Sequence, residues 1–276
     1  MKYLKMSAFI LLYMAVYFII SNYIGLVFGI FYMIKEIIVN PDVFLYGSSD
    51  AFMDTFVKNS VWFMTIAALV SFPIYAFILW LRKQNIFRVC GFSGISVKDM
   101  AITVLMGISL NFVIEYLVAI TSLNDLSPSV QQMFSQIFDG NSFVVILIAI
   151  GIVGPFIEEV IFRGLILNEL RRNIPLPAAV IIQAVLFGAY HMNLTQGIYA
   201  TLLGIILAQA CIKMKSIWAP ILIHMLFNST SVVLAKLIDP YILMTYQYFI
   251  LAGSVILLVF TSILAWRGKK SIVNIY

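Results

Sequence analysis

The chain has 276 residues, 63% of them hydrophobic and 11% charged. Soluble domains carry about 25% charged residues, so the composition excludes an ordinary soluble protein and indicates a polytopic membrane one. The net charge of +5 is no sign of nucleic-acid binding, because the basic residues fall in short loops between apolar runs and read as topology signals there.

Met1-Lys2-Tyr3-Leu4-Lys5 looks like the charged start of a signal peptide, but the apolar run after it reaches about Ile34. That is longer than the ~7–15 residues of a cleavable core, so a retained first span is expected. Hydropathy gives eight spans in all: about 7–33, 61–81, 100–121, 143–169, 178–191, 197–213, 217–235 and 241–266. The expected fold class is all-α, a single integral membrane helix bundle over residues 1–276. The fifth and sixth spans are short and separated only by Met192 to Gln196, which allows a re-entrant or tilted pair. Leu126-Ser127-Pro128-Ser129 has the form of a helix start, so a short surface helix is expected after it. Gly25 and Gly29 form a small-residue helix-packing pattern. Cys90 and Cys211 lack metal spacing and are expected to be free thiols.

With the N-terminus inside, the inner segments hold 13 Lys and Arg and the outer ones 3. The positive-inside rule then puts both termini in the cytoplasm. A bacterial plasma membrane is the expected location.

Glu158-Glu159-Val160-Ile161-Phe162-Arg163 lies within the otherwise apolar fourth span. A charge at the centre of a membrane helix costs about 2.5–3.5 kcal/mol, so such residues face partners or a water-filled cavity. Glu159 and Arg163 are four apart and can pair on one face. Glu158 lies about 100° around the helix and is left for another task. Both histidines fall in or at the edge of spans: His191 ends the fifth, and His224 shares a face of the seventh with Asn228. Measured from the cytoplasmic ends, Glu158 is about 18 Å deep, His191 about 20 Å, His224 about 10 Å and Asn228 about 16 Å. One polar layer inside the bilayer can hold all four.

A carboxylate and an imidazole converging on one water make a general base able to attack an amide carbonyl. A second imidazole beside a carboxamide can donate to the developing oxyanion. No Gly-x-Ser-x-Gly is present, so a water-attacking peptidase fits better than a serine one.

Glu158-Glu159-x-x-x-Arg163, Phe187-x-x-x-His191 and His224-x-x-x-Asn228, in this order on successive helices, resemble the three motifs of the CPBP family, the CAAX protease and bacteriocin-processing (Abi) enzymes. The resemblance covers about 120–230, the expected catalytic core. It implies a membrane-embedded glutamate-type endopeptidase acting on a membrane-associated peptide or protein, with the lipid bilayer as its other partner. By that resemblance Glu158 and His191 activate the water, and His224 and Asn228 form the oxyanion site. Glu159 and Arg163 support it, and Phe187 packs. No cofactor is implied. The alternative is zinc held by Glu158, His191 and His224, since two His and one Glu also make a catalytic zinc set. A non-enzymatic scaffold or bacteriocin self-immunity protein is the competing function, and a transporter a third, though the paired broken helices of transporters are not seen. Asn111 and Glu115 form a second intramembrane polar pair, expected to extend the cavity or cap Arg163. Gln183 is expected to bond between helices.

Overall fold

The computed structural model describes residues 1–39 and 49–266, and among them it is all helix and turn. The helices run α1 (Lys2–Val39), α2 (Ser49–Leu81), α3 (Ile86–Cys90), α4 (Val97–Ile120), α5 (Pro128–Gly140), α6 (Phe143–Arg171), α7 (Leu176–Tyr190), α8 (Leu194–Met214), α9 (Trp218–Leu237) and α10 (Pro240–Trp266). Seven of these are long and apolar enough to cross a membrane, and α7 is a shorter apolar helix. The expected polytopic bundle is thus the architecture. The surface helix after Leu126 is α5, with Pro128 at its first position.

Three expected spans lengthen. The first is the middle of α1, and the second is the C-terminal part of α2. The sixth is full length, with 21 residues in α8. Asn193 starts α8 by accepting from the Gln196 amide, so Thr195 and Gln196, which hydropathy reads as loop, are its first turn.

The loops fix two poles. At one, Ile217 N–H donates to Gly91 O, Ser93 Oγ to Lys215 O, and Asn168 Nδ2 to Val89 O. At the other, Thr195 Oγ1 donates to Leu123 O, Asn141 Nδ2 to Lys58 O, and Lys236 Nζ to Phe138 O. The first is the pole rich in Lys and Arg.

α6 is the axis of the bundle. Every residue from Val160 to Ile166 is buried, as expected for a helix apolar almost all round and covered by other helices. α1 and α2 pack on one side of it, placing Tyr13, Tyr17 and Tyr75 in one core with Ile161 and Phe162. α4, α8 and α9 share a second core around Met106, Leu207 and Phe227. Gly25 and Gly29 serve contacts within the bundle: a Cβ on Gly25 would lie 3.2 Å from the Phe56 ring of α2. Gly188 lets α7 meet α8, since a Cβ there would collide with Thr201 Oγ1 and the Gly197 carbonyl. Cys90 and Cys211 are free; burial pushes the Cys90 thiol up.

Candidate active site

The site begins with a proline. Pro155 has no N–H, so a helix running through it leaves carbonyls without donors. α6 is wound as a π-helix over Leu147–Val153, and the Gly154 N–H bonds Ala149 O, five residues back. In that register the partner of Ile150 O would be Pro155. The orphan carbonyl is taken by Asn228 Nδ2 of α9 at 3.0 Å. Ser229 Oγ donates to the next carbonyl, Gly151 O, at 3.3 Å. Gly151 permits this approach, since a Cβ would sit 2.7 Å from Ser229 Oγ. Buried backbone groups must be paired, so the sequence at 155 docks α9 against α6 and draws Asn228 to the site.

A single α-helical turn follows, Gly154–Glu159, and then a second π segment, Val160–Ile166. Glu158 and Glu159 end the turn between two π windings, a type of irregularity that collects at functional sites.

Glu159 is fully buried and Arg163 nearly so. Glu159 Oε1 accepts from the Arg163 guanidinium at 2.7 Å and from His224 Nδ1 at 2.7 Å. Arg163 also donates to Gly204 O of α8 at 3.3 Å, and its guanidinium lies 4.3 Å from the centre of the Phe187 ring. Gln183 Nε2 donates to the same Gly204 carbonyl at 3.2 Å, the interhelical bond expected of it. Glu159 Oε2 and Arg163 Nε are buried with no hydrogen-bond partner.

His224 joins the two glutamates. Its Nδ1 proton goes to Glu159, and its Nε2 faces Glu158 Oε2 at 3.8 Å. That separation is too long for a hydrogen bond and short enough for strong electrostatic coupling. The Glu158 side chain keeps 17% of its surface open, against 0% for Glu159. Neighbours in sequence, the two carboxylates have opposite surroundings.

His191 caps α7. Its own N–H turns to Gly188 O and Ala189 O, and its ring Nδ1 bonds the Phe187 carbonyl at 2.9 Å. A carbonyl only accepts, so Nδ1 carries the proton and Nε2 is left as an acceptor. Phe187 is the hub: its ring lies edge-on to His191 at 5.0 Å, to His224 at 5.7 Å and to Phe162 at 5.0 Å. The structure thus brings Glu158, Glu159, Arg163, Phe187 and His224 into direct contact, reaches His191 through Phe187, and ties Asn228 to the backbone about two turns before Glu158.

Sequence reasoning missed two parts. The Gly204 carbonyl has no side-chain signal. Ser229 stands beside Asn228 and was signalled only by Pro155 in an apolar run. Asn111 and Glu115 do not cap Arg163. Asn111 donates to Ser231 Oγ at 2.5 Å, and Ser231 donates to Glu115 Oε1 at 3.3 Å, joining α4 to α9. Arg163 faces α7 and α8 instead, where Phe187 and Gly204 receive it.

The zinc alternative needs three ligands in convergence. Among the described residues no group of three His, Cys, Asp or Glu side chains is placed to hold a metal. The Nδ1 bonds of His224 and His191 leave Nε2 of each ring open, as in metal-ligating histidines, so it is the placement of the three side chains that does not fit, and the chemistry below runs through side chains alone.

Residues 140–230 match the family described as Type II CAAX prenyl endopeptidase Rce1-like. This segment holds every motif residue from Glu158 to Asn228. YdiL of Bacillus subtilis (strain 168), named as a candidate membrane peptidase, is 34% identical over 88 residues, 32% of this chain and 36% of the relative. The match therefore spans little more than a third of that relative. No solved structure matches the chain. Residues 140–230 thus resemble the CAAX prenyl endopeptidase family, and the likeness to a membrane peptidase points the same way.

Proposed function

We propose that the protein is an intramembrane endopeptidase of glutamate type that hydrolyses a peptide bond of a membrane-associated peptide or protein. The observation that carries this is the contrast at Glu158-Glu159. One carboxylate is sealed with Arg163 and fixes His224; the other is partly open and faces the same imidazole. A buried structural ion pair needs only the first. The matched family segment supports a peptidase, and 120–230 is its proposed catalytic core within one membrane domain.

In this reading a water lies between Glu158 and His191 Nε2. Glu158 takes a proton from the water as its oxygen attacks the scissile carbonyl carbon, and the carbonyl π electrons move onto oxygen. The oxyanion receives hydrogen bonds from His224 Nε2–H and Asn228. His224 donates there only while both ring nitrogens are protonated, and Glu159 at Nδ1 is the counter-charge. Asn228 has two amide protons; one is given to Ile150 O, and the other serves the oxyanion. Collapse of the tetrahedral intermediate breaks the C–N bond, and Glu158 returns the proton to the leaving amine. The enzyme works in a bacterial plasma membrane with both termini cytoplasmic, so the pole rich in Lys and Arg is the inner one.

The test is cleavage of a quenched fluorescent membrane-peptide library by purified protein in detergent, with and without a zinc chelator. Activity that survives the chelator and disappears in Glu158→Gln is expected. Activity lost to the chelator and restored by zinc would overturn the mechanism, and no cleavage of a broad library would favour a scaffold or immunity protein.

A further inference from the structure

We propose that the Lys- and Arg-rich pole carries a binding site for one anionic phospholipid. Where α2 turns into α3, beside the end of α6, a cavity of about 370 Å³ is lined by Lys83, Arg88, Arg171 and Arg172, with Gln84 and Asn168. Four cations converge from segments nearly ninety residues apart in sequence, and among the described residues no acidic one lines the cavity. The nearest carboxylate in sequence, Glu169, is occupied by Arg82 at 3.0 Å. Arginines match a phosphate geometrically through their planar N–H forks.

The walls are held from behind. Asn168 Nδ2 donates to Val89 O at 2.7 Å and Gly164 O at 2.6 Å. Asn85 caps α3 by accepting from the Arg88 amide at 3.1 Å. Gln84 Oε1 is buried with no hydrogen-bond partner. It is an acceptor, so it suits a hydroxyl on the head group rather than the phosphate itself.

A second feature separates a lipid from a free phosphate. A cavity of about 620 Å³ adjoins the first, sharing Lys83, Gln84 and Asn85, and its other walls are Trp80 and Leu81. Those two side chains are 68% and 61% exposed on a membrane-spanning helix. The phosphate occupies the basic cavity, and an acyl chain runs along Trp80 and Leu81 into the bilayer. Basic pockets between helices at the cytoplasmic surface bind lipid head groups in this way. The site is independent of peptide hydrolysis.

The test is thermal unfolding of the full-length protein in detergent while short-chain phosphatidylglycerol, phosphatidylcholine or inorganic phosphate is titrated. A ligand that binds only the folded state raises Tm with concentration. Phosphatidylglycerol is expected to raise it saturably, and phosphatidylcholine is not. Arg88→Gln/Arg172→Gln should weaken the midpoint roughly 30-fold, at about 1 kcal/mol per lost cation. Lys98→Gln/Lys213→Gln, which removes two charges outside the cavity, should leave it unchanged. If the first double variant unfolds, Arg88→Gln and Arg172→Gln singly should each weaken binding about fivefold. Equal loss in both double variants would mean diffuse surface charge and overturn the site. A matching shift with inorganic phosphate would overturn the lipid occupant, and no shift with any probe would overturn both.

Discussion

Two Glu–Arg pairs among the described residues differ in how completely they close. At the Lys- and Arg-rich pole Arg82 bonds Glu169 at 3.0 Å and the Tyr13 hydroxyl, and its guanidinium lies 3.6 Å from the centre of the Phe9 ring. This knot joins α1, α2 and α6 and satisfies itself. In the membrane interior Arg163 and Glu159 are more deeply buried and less complete. They share one carboxylate oxygen with His224 and leave Glu159 Oε2 and Arg163 Nε without partners. The pole pair closes on itself, whereas the interior pair continues through the buried His224 to the partly open Glu158, as the proposed mechanism requires.

Breaking the open face should act on rate. Glu158→Gln is expected to lower peptide cleavage by about 10²–10⁴-fold, the usual contribution of a general base. Its Tm should stay near wild type, because Glu158 makes no short bond that holds helices together. Initial-rate assays beside a thermal melt check both halves.

Breaking the buried interior pair should act on stability. Arg163→Met leaves Glu159 charged and buried, at a cost of about 3–5 kcal/mol. Glu159→Gln/Arg163→Met removes both charges and should cost less than Arg163→Met alone, although it too loses activity. Denaturant unfolding of the three proteins reads the ordering. Gly188→Ala should cost about 1–3 kcal/mol, because its Cβ would enter the backbone of α8 and push α7 away. Thermal melts, with cleavage as a second readout, check it.

The smallest effect belongs to the pole pair. Arg82→Met should cost about 1–2 kcal/mol, since the pair lies near the interface with 21% of the Arg82 side chain exposed and water can replace part of what is lost. Cleavage per folded molecule should be unchanged.

Much of the bundle was legible because hydropathy and loop charge are local properties of the chain. The Glu159–Arg163 contact was legible for the same reason: four residues on a helix fix a distance. The contact between His224 and Glu159 joins residues 65 apart, and only helix packing decides it. Pairing Asn111 and Glu115 with Arg163 failed on the same point, since both are intramembrane polar groups and sequence alone does not say which helix faces which. The π windings around Glu158-Glu159 were hidden as well. Pro155 announced a broken hydrogen-bond ladder, but not that Asn228 and Ser229 would mend it. The sixth span looked short because Asn193, Thr195 and Gln196 are polar, yet one of them caps a full-length helix.

The most direct test compares the neighbouring carboxylates in one experiment: cleavage rate and Tm for Glu158→Gln and Glu159→Gln. A folded, inactive Glu158→Gln beside a destabilised Glu159→Gln is the expected result. An active Glu158→Gln beside a Glu159→Gln that is inactive at full stability would contradict the division of roles and make Glu159 the base.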